Sequence, residues 1–481
     1  MHRTQKLRNL VNDTMSDTKN QSAESVLRDI RAAVLSRVRP TDEEKTKLNT
    51  VREGIIADIV KIAQKQGQCD IVPLSVGSAE RDTWLHGNHD IDIFLSYPED
   101  LTFEEFHEKS RKLLIEMAKT GDSWEDRHSE HPYIHITKEG FEVDLVPCFR
   151  VKSGAEIKSA VDRTPFHCSF IKENINGLEE DVLLLKQFMK GIGVYGSEVR
   201  TGGFSGYLTE ILTIYYGGFE NVLRNAAEWK AGAVIDLAQH QSLAHAHPLV
   251  VVDPTDPKRN VAAALSLTKF PLFIDRARVF LNSPSLDFFT SKEYPPLPAS
   301  AFTKLMAARG TELIGISFKA PPKAEDTLYP QLFRMEKSLE ELLTRNEFTV
   351  IHTFSWSGDD KICIVFIELL TATLPPLQKR VGPPVWNADN AASFCNKYQH
   401  NPTTFSFSIE NEKYVAEIPR KYKTAEFLIQ DMILKEAALG RHVRDSVKNG
   451  YAVLRETEIA AIENTEFWKF MNEKLTSRIE P

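Results

Sequence analysis

Cysteine is scarce in this chain, and none of it is spaced for a shared task. Five residues, Cys69, Cys148, Cys168, Cys363 and Cys395, are scattered with no CxxC among them. That argues against a zinc site and fits a reducing compartment, so a cytoplasmic location is expected. Long hydrophobic runs are missing as well. The most apolar windows, such as 231–238, are short and interrupted, too short for a membrane-spanning helix, so no membrane partner is expected. There is no excess of positive charge: the formal net charge is −8. A protein coated in basic charge is thereby excluded, while RNA binding through one local basic face stays open. The first twenty residues carry Arg3, Lys6 and Arg8 ahead of Asp13 and Asp17. They lack the apolar segment of a secretory signal, and residues 1–22 read as a disordered extension. Internal repeats and low-complexity tracts are absent too.

What is present is an ordinary globular composition, 42% hydrophobic and 26% charged, over a length sufficient for about three domains. The stretch that organises it is 76–95. It begins with Gly77-Ser78 and runs to Asp90-Ile91-Asp92-Ile93-Phe94-Leu95. On a strand, alternate residues share a face. Asp90 and Asp92 therefore point one way, and Ile91, Ile93 and Leu95 point into a core. Two carboxylates on one strand face repel unless a divalent cation sits between them. The Gly-Ser turn upstream suits a phosphate, because small residues let backbone N–H groups reach an anion. Phosphate holder plus metal carboxylates points to nucleotidyl transfer.

Around this stretch the periodicity predicts a helix over 25–38 and another from Thr41, its cap, to about Gln66. A short strand covers 68–76, a helical turn or two 79–85, and an amphipathic helix 102–119. Segments 133–137 and 141–147 flank the hairpin signal Lys138-Glu139-Gly140. The second of these alternates, placing Glu142 and Asp144 on one face. A neighbouring strand of the same sheet would bring Asp144 to Asp90 and Asp92, completing a site for two divalent metals. Glu142 competes for that place, and spacing does not choose between them.

Further on, a helix over 181–189 ends at Gly191-Ile192-Gly193, and an apolar helix resumes over 207–216. The glycine-rich connector reads either as a flexible joint or as a cradle for a nucleotide and an RNA 3′ end, with Tyr195 as its stacking surface. Residues 253–261 read as a Pro-punctuated loop leading into a helix over 261–266. Past about residue 285, helices over 302–308 and 327–344 alternate with strands over 313–318, 348–354 and 361–369. A helix over 424–439 follows, and then the basic cluster Arg441, His442, Arg444 and Lys448, which suits either phosphates or solvent.

Gly77-Ser78 with Asp90-Ile91-Asp92 and a later strand carboxylate resembles the DNA polymerase beta nucleotidyltransferase superfamily. Several downstream blocks narrow the resemblance to the class I, archaeal-type CCA-adding enzymes, or tRNA nucleotidyltransferases. They are Val143-Asp144-Leu145-Val146-Pro147-Cys148, the run from Ser159 through Arg163-Thr164-Pro165-Phe166-His167, Gly193-Val194-Tyr195-Gly196, Gly203-Phe204-Ser205-Gly206-Tyr207-Leu208, Val252-Asp253-Pro254 with Lys258-Arg259-Asn260-Val261-Ala262, and Tyr329-Pro330-Gln331-Leu332. The resemblance spans roughly residues 30–450. It implies an α+β multidomain fold, with a polymerase-beta-like head of mixed sheet and helices over 23–155. A helical neck over 156–285 and an α+β body and tail over 286–481 complete it. It implies CCA addition to tRNA from CTP and ATP without a template, with Asp90, Asp92 and Asp144 as ligands of two Mg²⁺ ions. Ser78 and Arg81 match triphosphate-binding positions, and His167, Lys186 and Tyr195 match nucleotide-binding ones. Ser78 is equally placed to cap a helix, and Lys186 to snorkel at the surface. Arg259 is implied to help read the base edge, and a homodimer is common among such enzymes. His86 stands where many relatives have arginine, which argues against a phosphate contact there. Two other readings share these motifs: a poly(A) or uridylyl polymerase, and a non-catalytic tRNA-binding protein.

Overall fold

The structure, a computed structural model, describes residues 24–128, 132–241 and 247–478. The reading of residues 1–22 as an extension lies outside the described residues. The chain forms two compact units that divide between Lys292 and Glu293. Among the described residues no helix is long and apolar enough to cross a membrane.

In the first unit a helix α1 covers 24–38, and α2 (Asp42–Lys65) follows it. Thr41 starts α2 through a reciprocal capping box: its hydroxyl accepts from Glu44 N at 3.1 Å, and its N–H donates to Glu44 Oε2 at 2.8 Å. The apolar residues of α2, Leu48, Val51, Ile55 and Ile59, recur at helical spacing and are buried. They pack against a five-stranded sheet of β1 (Val72–Val76), β2 (Asp90–Pro98), β3 (Ser123–His128), β4 (Pro132–Lys138) and β5 (Phe141–Arg150). The short α3 (Gly77–Glu80) follows β1, and α4 (Phe103–Ala118) joins α2 on the sheet through Phe106, Leu113 and Met117. The order is β1-β2-β5-β4-β3, antiparallel except for the parallel pair β2/β5. That parallel pair sets Asp92 beside Asp144.

The remainder of this unit is helical: α5 (Thr164–Asn174), α6 (Glu179–Gly191), α7 (Gly206–Tyr216), α8 (Phe219–Ala226) and α9 (Lys269–Asn282). In α6 the residues Val182 to Lys186 are all buried, as in a helix enclosed by others. A small sheet of β6 (Ala233–Asp236), β7 (Leu249–Asp253) and β8 (Asp256–Asn260) completes it. Here the expectations need correcting. Residues 253–261 do not form a solvated loop: Asp253 and Asp256 close a hairpin between two strands and are 0% and 4% exposed. Ion pairs to helix α5 and its approach hold them inside. Residues 261–264 form turns rather than a helix, and the next helix starts only at Lys269.

The second unit is built on a sheet of β9 (Glu312–Lys319), β10 (Val350–Ser357), β11 (Ile362–Leu369) and β15 (Tyr451–Leu454), ordered β10-β11-β9-β15 and antiparallel throughout. Alternation serves both faces. Cys363, Val365 and Ile367 meet the buried side of α11 (Glu325–Arg345), while Ile364 and Phe366 meet α10 (Ala299–Arg309), α15 (Glu456–Ile459) and α16 (Thr465–Thr476). A second, three-stranded sheet of β12 (Leu377–Pro384), β13 (Ser406–Glu410) and β14 (Lys413–Pro419) carries α12 (Ala388–Tyr398). The helix expected over 424–439 is shorter, α13 (Ala425–Met432). The basic cluster begins a helix of its own, α14 (Arg441–Lys448), with Val443 and Val447 buried and Arg444 donating to the Leu434 carbonyl at 2.8 Å.

Candidate active site

The site grows from strand register. In the parallel pair β2/β5, Asp92 stands opposite Asp144 and Asp90 opposite Glu142. Ile91 and Ile93 on the other face are 1% and 0% exposed, which fixes both aspartates outward. Crowding and partial burial have a cost. Burial, then repulsion by Asp144 and Asp90, pushes the Asp92 carboxyl up to about 6. Asp90 is also raised, first by burial and then by Asp144 and Glu142, although Asn88 Nδ2 donates to it at 3.0 Å. Asp144 Oδ1 is bonded to His135 Nδ1 at 2.7 Å. Among the described residues no three His, Cys, Asp or Glu side chains are gathered as they would be around a metal ion. The donor set nonetheless fits one: three carboxylates in register, all oxygen, under-compensated by cations.

Gly77 shows how tight the approach is. It has φ +75°, and an added Cβ would lie 1.9 Å from Asp92 Oδ2. The turn thus lies directly against the acidic face. Ser78 does not cap the helix: α3 already begins at Gly77, with Val76 as its N-cap. The Ser78 carbonyl accepts from Arg81 N at 3.2 Å and Thr83 N at 3.1 Å, which curls the turn.

Arg81 is no surface residue. Its Nε and Nη2 donate to Glu210 at 3.0 and 2.9 Å, its side chain is 8% exposed, and Glu210 is fully buried. The Thr83 hydroxyl also donates to Glu210. Lys186 does not snorkel: it is 3% exposed and donates from Nζ to the Thr83 carbonyl at 2.7 Å. Burial pushes its ammonium down to about 8, against the attraction of Glu210. Tyr195 completes this group. A Cβ on Gly206 would stand 3.2 Å from the Tyr195 hydroxyl and 3.8 Å from Lys186 Nζ, so both polar groups lie against the Gly206 backbone.

His167 and Arg259 meet on one buried carboxylate. Asp253 Oδ2 accepts from Arg259 Nη1 at 2.7 Å and lies 2.9 Å from His167 Nε2. Asp253 Oδ1 takes the Tyr207 hydroxyl at 3.2 Å and the N–H and hydroxyl of Thr255 at 2.9 Å. His167 stacks on Tyr207 with ring centroids 4.0 Å apart. Burial opposes ionisation of Asp253, but His167, Thr255 and Arg259 together hold it well below the usual carboxylate range. Beside it a cleft of about 580 Å³ is lined by Arg163, Ser197, Ser205, Lys258 and Arg259, with Arg163 Nε bonded to Asp256 at 2.9 Å. The Arg81 guanidinium favours the ionised form of Asp92 and of Tyr195 and opposes protonation of His167. His86, in contrast, pairs with Glu44 Oε2 at 2.8 Å.

Three contributors escaped the sequence reading: Glu210, Asp253 as a buried hub, and His135. A lone acid inside the apolar run 207–216 was a usable signal for Glu210, since such an acid needs a buried partner. The run Leu249-Val250-Val251-Val252 ahead of Asp253 marked a buried strand. His135 carried no signal beyond its place on an alternating strand.

Comparison with known proteins reaches 93% of this chain. Residues 56–167 match the family described as a nucleotidyltransferase domain, 180–290 the second domain of tRNA nucleotidyltransferase, and 309–456 the C-terminal domain of CCA-adding enzymes. The CCA-adding enzyme of Methanosarcina acetivorans is 47% identical over 447 residues, covering 93% of this chain and 98% of that protein. The CCA-adding enzyme of Methanothermobacter thermautotrophicus is 35% identical, covering 91% and 96%. A solved structure of the Cid1 poly(U) polymerase aligns with 55% of this chain and 98% of its own at 14% identity and a TM-score of 0.45. A relationship that runs through catalytic, second and C-terminal domains alike, at up to 47% identity among these relatives, means that this chain belongs to the CCA-adding enzyme family.

Proposed function

We propose that the protein is a template-independent tRNA nucleotidyltransferase that adds C, C and A in turn to the tRNA 3′ end from CTP and ATP, releasing pyrophosphate. The observation that carries this reading is the end-to-end relationship to CCA-adding enzymes, because the C-terminal half, and not only the catalytic fold, is shared. The attacking RNA 3′-hydroxyl and the α-phosphate would meet at the face of Asp90, Asp92 and Asp144. These three would hold divalent magnesium, two ions in our reading, which when bound supplies Lewis-acid activation of the hydroxyl and charge neutralisation at the leaving pyrophosphate.

The chain's own residues bind and orient. The Gly77-Ser78 turn presents its backbone to the triphosphate at contact distance from Asp92. Arg81, locked by Glu210, turns a fixed cation towards the same place rather than a mobile one. Lys186, although burial lowers its pKa to about 8, donates to the Thr83 carbonyl without solvent access. The Tyr195 hydroxyl, its ionisation suppressed by burial, is kept as a hydrogen-bond donor. At the other end of the nucleotide, Arg259 and His167 are oriented by Asp253, and the guanidinium fork suits the acceptors of a base edge.

The deciding assay incubates the protein with a tRNA ending at its discriminator base, CTP and ATP. The product expected is a tail that stops after CCA. A long homopolymer tail would overturn the reading in favour of another tailing polymerase, and no incorporation would favour a tRNA-binding protein.

A further inference from the structure

His135 belongs to no nucleotide-contacting block, yet it is bonded to the acidic face. Strand β4 pairs antiparallel with β5 so that His135 lies opposite Asp144. Its Nδ1 is 2.7 Å from Asp144 Oδ1, and its Nε2 is hydrogen-bonded to Glu142 Oε2. The imidazole is wedged between two carboxylates that stand two residues apart on one strand. Its side chain is 13% exposed, against 32% for Asp144 and 47% for Glu142. Ile134 and Ile136, its neighbours on β4, are both fully buried on the opposite face. The backbone that carries the ring therefore cannot shift without disturbing the core.

From this arrangement we infer that His135 is a positioning residue for the catalytic centre, holding the Asp144 carboxylate in the orientation that meets a divalent cation beside Asp92. Neither carboxylate has a proton to give, so both contacts need an N–H on the ring: Nδ1 donates to Oδ1 of Asp144 and Nε2 to Oε2 of Glu142, and Asp144 Oδ2 faces no ring donor. A carboxylate fixed in this way loses less freedom when it becomes a ligand, and a hydrogen-bonded partner behind a ligand commonly governs its affinity. Glu142 acts one step further out, on the far nitrogen of the ring, with the Thr137 hydroxyl donating to it at 3.4 Å. This divides the two acids of β5 by role: Asp144 toward the cation, Glu142 toward the histidine.

The inference rests on the reading of Asp90, Asp92 and Asp144 as cation ligands, and the experiment separates the two. Mn²⁺ binding to the full-length protein is followed by electron paramagnetic resonance, alongside kcat and KM for CTP addition. H135L should weaken Mn²⁺ binding about 10-fold or more, with kcat falling in parallel and KM for CTP unchanged. H135N returns a donor near the place of Nδ1 and should recover most of the affinity. H135Q puts its donor near the place of Nε2 and should not. A merely structural role would not distinguish these last two. Unchanged Mn²⁺ affinity in H135L, or equal loss in H135N and H135Q, overturns the role of His135. D144N is the control: if it too binds Mn²⁺ normally, the ligand reading itself fails, whereas loss in D144N with none in H135L removes His135 alone.

Discussion

On the strand face, Asp92 stands opposite Asp144 and two residues from Asp90, and burial together with repulsion from Asp144 raises Asp92 and Asp90. In the helical half of the same unit, Glu210 and Asp253 are buried completely, yet each is enclosed by cations and hydroxyls. The same functional group titrates in opposite directions in the two places: Asp92 is pushed up to about 6 and Asp253 is held below the carboxylate range. Burial opposes ionisation in both, so burial cannot explain the difference. Partners do. The helical cluster is a finished scaffold that fixes Arg81, His167 and Arg259. The strand cluster lacks such an enclosure, which is what the proposed uptake of divalent cations there requires.

Breaking the strand cluster should cost activity and not stability. D92A or D144A is expected to lower CTP incorporation by at least roughly 10³-fold, about 4 kcal/mol of transition-state stabilisation, with the thermal midpoint unchanged or higher. Unchanged incorporation in either variant would end the ligand assignment. Breaking the helical cluster should do the reverse first. Glu210→Ala leaves Arg81 buried without its carboxylate and should cost about 3 kcal/mol in urea unfolding, whereas loss of an exposed pair would cost under about 1 kcal/mol. Gly77→Ala sharpens the boundary between the two. Its Cβ would collide with Asp92, and its φ of +75° disfavours any side chain, so a stability loss of about 1–3 kcal/mol is expected together with slowed incorporation.

The strand cluster was largely legible in the sequence because alternation is a rule of period two. It gave the outward face of Asp90 and Asp92 directly, and the parallel pairing of β2 with β5 supplied Asp144. That Asp144 stands opposite Asp92 and Glu142 opposite Asp90 is a matter of register, which no single strand contains. The helical cluster was much less legible. Arg81 and Lys186 are surface-type residues by composition, and only the packing of α6 and α7 around Glu210 shows them buried. Asp253 looked like a turn residue because Pro254 and the charges after it are those of a loop. It does form a turn with Thr255, but its second oxygen serves His167 and Arg259. In the second unit the sheet strands were clear from alternation. Helix 424–439 was over-extended because its apolar residues continue past the point where the backbone turns.

The smallest expected effect is in the pH dependence of stability, measured by urea unfolding without divalent cations. An acid whose pKa is raised by folding binds more protons when folded. Asp92 therefore contributes stability that is lost as pH rises from about 4, its unfolded value, through about 6. Asp253, held low, contributes stability that is present above about pH 4 and lost as pH falls below it. D92N should flatten the first slope and D253N the second. Slopes of the same sign would contradict the contrast.

The most direct measurement compares the thermal unfolding of the parent protein and D92N, each with and without Mn²⁺ at neutral pH. An unfinished acidic centre predicts that D92N is the more stable without metal, because a repelled and partly buried charge has been removed. It also predicts that Mn²⁺ raises the midpoint of the parent well beyond that of D92N, since only the parent binds it tightly. A metal-free D92N that is less stable than the parent, together with equal stabilisation of both by Mn²⁺, would contradict it.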